Sequence, residues 1–273
     1  MSDTMVEPGQ VASTLRTGPV ASLPVFVALM QRAMRRFIRI PSLVIPTVVM
    51  PLFFITAFTG SFDGVSRIDG YPTDRLVNWV AAFAVLQSSA FAGIGAAAVM
   101  ANDIDNRFLD RLMVSPVRRV VVILGPLGQA AVRAWIPTTV VLLVALSKQA
   151  SLPGGVLGVA MVYLGGMGMA VMMGALGVAV VLMIGNIRAM AIVQIVGFVV
   201  LFPSTGQVPV QLMDGWLATL ARYNPATQML AMTRQGFLGP VTWSGTWPGV
   251  LVVAIGTAVF GWFAVTQLRR LGR

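Results

Sequence analysis

The side chains able to do polar chemistry in this chain are gathered in one place. The run NDIDNRFLDRLMVSPVRR, Asn102–Arg119, holds three of the nine acids (Asp103, Asp105, Asp110) and four arginines (Arg107, Arg111, Arg118, Arg119). Long apolar stretches flank it on both sides. Histidine and cysteine are both absent from the 273 residues. That removes zinc, iron–sulfur and His-ligated haem sites, disulfides, and nucleophilic catalysis by His or Cys. No G-x-x-x-x-G-K-S/T phosphate loop occurs, so the chain has no cradle of that kind for ATP. Charge concentrated this way, without catalytic partners, points to contact with another molecule.

The elements around it must lie in a membrane. The chain is 57% hydrophobic and only 10% charged, with a mean hydropathy of +0.84. Soluble domains run at about 45–50% apolar and about 25% charged. A crossing helix needs about 20 apolar residues, and six windows qualify: Pro41–Gly60, Val77–Ala101, Leu124–Ser147, Val156–Ile184, Ala189–Pro203 and Trp247–Thr266. The fifth is short and ends at FPSTG, so irregular or re-entrant chain is expected to complete it. Residues 1–21 carry two acids and lack the pattern of a cleavable signal; they read as a disordered cytoplasmic leader. With the N-terminus inside, thirteen of the nineteen basic residues fall on the cytoplasmic side. Both termini are therefore expected in the cytoplasm. The net charge of +10 reads as loop charge that sets orientation, not as a nucleic-acid surface.

Before the first span, SLPVFVALMQRAMRRFIRIP places Arg32, Arg35, Arg36 and Arg39 on one helical face. Phe26, Leu29, Met30, Ala33 and Phe37 recur at helical spacing beside them. The expectation is an amphipathic helix on the inner surface, its arginines serving as orientation charge alone or turned toward anionic headgroups or a cytoplasmic partner. In the charged run, Asp103 and Asp105 stand where carboxylates favour a helix N-terminus. Pro116 after Ser115 ends that helix near Val114. Phe108, Leu109, Leu112 and Met113 form its apolar stripe, while Arg107, Asp110 and Arg111 face elsewhere. This predicts a short helix across the bottom of the bundle as a docking surface. A charged loop that only stops translocation is the plainer alternative.

The run resembles the cytoplasmic coupling helix of type-2 ABC exporter permeases, in their daunorubicin-resistance and multidrug-efflux branch. The matching residues are Asp103, Asp105, Leu109, Asp110, Arg111, Leu112, Ser115, Pro116, Val117 and Arg119. It departs by using Asp for Glu, and Arg107–Phe108 where small residues such as Gly-Thr are common. A second similarity is GWLATLARYNPATQMLAMTRQGFLG, where Gly215, Trp216, Leu217, Asn224, Pro225, Thr227 and Arg234 fit the family's outer motif. Asp214 stands where proline is frequent.

The resemblance implies an all-α membrane protein whose residues 22–273 form a type-2 ABC transporter transmembrane domain. It has six spans, an interfacial helix, a coupling helix and a short outer re-entrant segment before the last span. It would pair with itself or a sister permease in a bacterial inner membrane. A separate cytoplasmic ATPase would hold ATP and magnesium and press on Asp103, Asp105, Arg107, Phe108, Leu109, Asp110, Arg111, Leu112, Ser115 and Pro116. Efflux of hydrophobic or amphipathic compounds, with antibiotic resistance as a consequence, is the implied activity. Export of a lipid-linked glycan or cell-wall lipid by the same fold is the alternative.

Within the spans no Asp or Glu occurs. Intramembrane acids are the usual proton relays, so a secondary carrier is disfavoured, as is an intramembrane enzyme. Gln87, Ser88 and Gln194 read either as interhelical hydrogen-bonding groups or as contacts to cargo. The methionines of the fourth span, Met169 and Met173 among them, read as an adaptable lining or as lipid-facing filler. Gly166, Ala170 and Gly174 permit close helix packing. Arg133 is expected to snorkel to the inner surface, and Trp79, Trp243 and Trp247 to anchor the outer boundary.

Overall fold

The computed structural model describes residues 22–38, 41–114, 117–186 and 188–271. The leader, Arg39, Ser115 and Pro116 lie outside the described residues, as does the side chain of Arg36. Among the described residues there are ten α-helices and no strand. They are α1 (Ser22–Ile38), α2 (Pro41–Ser61), α3 (Leu76–Asp105), α4 (Phe108–Met113) and α5 (Arg119–Ser147), then α6 (Gly155–Ile184), α7 (Ala189–Leu201), α8 (Gly215–Tyr223), α9 (Pro225–Leu238) and α10 (Trp243–Leu271). Helices α3, α5, α6 and α10 are each long and apolar enough to cross a membrane. Val49–Ser61 of α2, and α7, are shorter apolar stretches.

Helix α3 is the hub. Its alanine-rich sequence is buried almost all round, with 94% of its most apolar window inside the protein. A helix apolar on every side belongs in the core of a bundle. Small residues bring its neighbours close. A Cβ at Gly93 would sit 2.4 Å from the Ala170 carbonyl oxygen and 3.0 Å from the Gly174 nitrogen, so α3 and α6 touch backbone to backbone. The stripe Gly166, Ala170, Gly174 does the packing its spacing predicts. Helix α9 crosses α6 in the same way, with Gly236 against Gly158. Helix α10 covers α6 and α9 with one side only, and just 11% of its apolar window is buried.

At 13 residues, α7 reaches about 20 Å, short of the roughly 30 Å of hydrocarbon. The chain then continues as irregular backbone whose Ser204, Thr205 and Gly206 are buried. Unpaired backbone at such depth survives only when protein covers it. Phe83 of α3 supplies that cover, lying so close over Gly206 that a Cβ there would collide with its ring.

Candidate functional site

The charged elbow under α3 and α5 differs from its expected shape. Asp103 and Asp105 do not open the coupling helix; they close α3, which runs on through Asn102 and Ile104 to Asp105. The apolar face of α3 persists past Ala101, so helix continues where the acids suggested a fresh start. Asn106 ends it, with its N–H on the Asn102 carbonyl (3.1 Å) and its side-chain amide on the same oxygen (2.7 Å). Arg107 then adopts a left-handed conformation, φ 52 and ψ 23. That conformation disfavours side chains and suits glycine, which accounts for the small residue common at this point in the resembling pattern. Helix α4 follows for six residues.

The elbow divides its residues into two sets. Leu109 is buried, and Phe108, Leu112 and Met113 are half-buried, with Leu109, Leu112 and Met113 packed into the cluster formed by α3, α5 and α6. Asp105, Arg107, Asp110, Arg111 and Val114 are exposed. The predicted apolar stripe is thus seated, and a face carrying both signs of charge points away from the bundle. Asp103 belongs to the inner set.

What holds Asp103 is Arg32 of α1. The guanidinium makes two bonds to its carboxylate, Nη1 to Oδ2 at 2.9 Å and Nη2 to Oδ1 at 2.8 Å. It also lies 3.6 Å from the centre of the Phe108 ring. Arg32 therefore does not face headgroups as its spacing predicted; a buried carboxylate draws it inward. Arg35 remains exposed. Helix α1 is seated firmly: Leu29 presses where a Gly125 side chain would be, and the Phe26 ring does so at Gly128.

Deeper in the bundle, Arg133 does not snorkel. It is 1% exposed at the middle of α5, packed over Gly95 of α3, where any Cβ would collide with the guanidinium. Gln129, one turn away, accepts from its Nη1 (3.1 Å) and Nε (3.3 Å) when the amide oxygen is turned toward it. The missing side chain at Gly95 leaves the room that the guanidinium occupies. Of the groups read as cargo contacts or packing, Ser88 donates to the Val85 carbonyl (2.9 Å). Gln87 is 1% exposed, and its amide nitrogen and oxygen have no hydrogen-bond partner among the described residues. Met169 and Met173 are buried. Gln194 is exposed and, with Ala90, Phe91, Ile94, Phe198 and Leu201, lines a narrow apolar crevice between α3 and α7.

The outer motif forms a lock. Asn224 caps α9, its Oδ1 accepting from the Ala226 N–H at 2.9 Å. Pro225 follows in the first turn of the helix, where its missing N–H costs nothing. The Asn224 amide also donates to the Val200 carbonyl (2.7 Å), satisfying the frayed end of α7. Thr227 donates to the Ala221 carbonyl (2.7 Å) and accepts from the Thr205 N–H (3.4 Å). Arg234, the last residue of the motif, is 5% exposed. It donates to the carbonyls of Thr205 (2.7 Å) and Trp79 (3.3 Å) and lies 3.5 Å over the Trp79 ring. Trp79 is consequently buried and anchors no membrane boundary, whereas Trp243 and Trp247 are exposed. Tyr71 packs on Trp79 at 5.7 Å; burial raises its phenol above the ordinary value, with Arg234 opposing. Trp216 stands 77% exposed on α8, apart from this network.

With this geometry in place, comparison with known families gives a single result. Residues 24–238 match the model of the ABC-2 type transporter family. The chain belongs to that family, and is a multi-pass membrane subunit of a transporter. Permeases of this kind work with ATPase partners. A comparison with curated proteins returns no match.

Two side-chain contacts escaped the sequence. The Arg32–Asp103 pair joins residues 71 apart, and no local pattern announces it. Arg234 could have been suspected from its place in the outer motif, since a lone arginine among apolar residues needs acceptors.

Proposed function

We propose that the chain is one half of a dimeric ABC exporter that moves hydrophobic or amphipathic compounds out of a bacterial cell across its inner membrane. It is of the daunorubicin-resistance and multidrug-efflux type. A separate ATPase, holding ATP and magnesium, seats on the exposed face of the elbow, made by Asp105, Arg107, Asp110 and Arg111. The observation that carries this reading is the split of the elbow: its apolar side is locked into the bundle while its charged side is left free at one end. A partner that closes on nucleotide needs both, a polar surface to grip and a rigid root to push. Helix α2 and the α7 segment join the four long helices to give six crossings, with both termini in the cytoplasm. Cargo passes beside α3 and α7, where Gln194 borders the apolar crevice and Gln87 holds an amide in want of a partner. Met169 and Met173 line the wall behind.

The test is uptake into inverted membrane vesicles containing the permease and its co-purifying ATPase. With ethidium as probe, accumulation requires ATP and persists when a protonophore collapses the proton gradient. Uptake without ATP, or uptake abolished by the protonophore, contradicts the proposal.

A further inference from the structure

We infer that Arg32 is a positioning residue for coupling: it binds α1 to the elbow, so that a push on α4 is carried by α1 as well as by α3 and α5. The inference rests on the reading of the elbow as the ATPase contact and adds an arm to it. The chain bends at Arg107, and Arg32 grips both sides of that bend, Asp103 before it and Phe108 after it. Helix α4 has only six residues, far fewer than the roughly 12–15 an isolated helix needs to persist in water. Its orientation therefore depends on side-chain contacts. Leu109 fixes the inner side, and Arg32 fixes the first residue.

The grip is stronger than a surface ion pair. The Asp103 side chain is only 9% exposed, the contact is bidentate, and an aromatic face adds to it. The other end of the lever is equally firm, since Leu29 and Phe26 fill the places left by Gly125 and Gly128 on α5. Helix α2 begins directly after α1, at Pro41, which ties the arm to the first membrane helix. Phe108 supplies the aromatic face of the grip. A small residue there would offer the guanidinium no ring. The bend is held here by a clamp.

The experiment measures ethidium uptake and ATP hydrolysis in the same inverted vesicles, with the co-purifying ATPase present. In Arg32→Ala, uptake per ATP falls about tenfold, while the amount of bound ATPase and its KM for ATP stay at wild-type values. Arg32→Lys, which keeps the charge but loses the fork, recovers part of the ratio. Phe108→Leu keeps the ion pair and the burial and loses about threefold; it carries the test if Arg32→Ala does not accumulate. A wild-type ratio in Arg32→Ala, or in Phe108→Leu, overturns the inference. So does a loss of bound ATPase in step with transport, which makes Arg32 a structural or docking residue. A wild-type permease that itself shows no ATP-driven uptake sinks the exporter reading, and the inference with it.

Discussion

An arginine lies against an aromatic ring at each end of α3, and the two arrangements do different work. At the outer end, Arg234 sits 3.5 Å from the Trp79 ring and donates to the backbone carbonyls of Thr205 and Trp79. At the inner end, Arg32 sits 3.6 Å from the Phe108 ring and is paired with a carboxylate. The outer arginine is buried and ties the irregular chain at Thr205 to helix α3 at Trp79, so moving it would leave the Thr205 carbonyl bare. The inner one is a third exposed at its side chain and bridges two helices around a bend. The first is a fixed lock and the second a joint. A stacked arginine thus serves both ends of α3 with different partners.

The largest effect should come from opening the lock. Arg234→Met leaves the buried Thr205 carbonyl without its donor, about 1–3 kcal/mol, and removes the cation stacked on Trp79, about 2 kcal/mol more. Membrane yield and the melting temperature in detergent should both drop sharply. A variant that melts with the wild type would show that the lock is not what secures the irregular chain after α7.

Asn224→Ala is next. It loses the cap of α9, worth about 1 kcal/mol, and leaves the Val200 carbonyl unpaired for about 1–3 kcal/mol more. Thermal unfolding measures the sum, while Asn224→Asp should keep the cap and lose only the bond to α7.

At the joint the expected signature is reversed: function suffers and stability does not. Asp110→Arg changes an exposed charge, so melting should move by no more than about 0.5 kcal/mol. Coupling of hydrolysis to transport should weaken by about 1–2 kcal/mol, near tenfold. If transport is unaffected, the exposed face of the elbow is not where force enters.

The smallest effect tests the bend. Arg107→Gly relieves a left-handed side-chain conformation and should leave stability level or raise it by about 1 kcal/mol. A fall would mean that the Arg107 side chain holds something in place. Read together with Arg234→Met, it separates a region that tolerates adjustment from one that does not.

Much of this was legible in the residues. The apolar runs gave the long helices, the spacing of Leu109 and Leu112 gave the seated side of the elbow, and Gly166, Ala170 and Gly174 gave a close crossing. Periodicity reports which face of a helix is apolar, but it cannot name the residue opposite. For that reason Asp103 was assigned to the wrong helix, Arg32 to the headgroups, Arg133 to the membrane surface and Trp79 to its boundary. Each error has one physical source: a polar or amphipathic side chain settles according to what faces it, and here that was an arginine, a carboxylate, a glycine and another arginine. Glycine at 95 is the clearest case, since the Arg133 guanidinium packs where a side chain at that position would begin.

The central claim is that the outward face of the elbow lies in the cytoplasm and bears the ATPase. Because the chain contains no cysteine, a single Asp110→Cys variant gives a unique label site. A membrane-impermeant maleimide should react with it in inverted vesicles, fail to react in right-side-out ones, and be blocked once the ATPase is bound. Reaction from the outer side, or unchanged labelling in the presence of bound ATPase, would contradict the account.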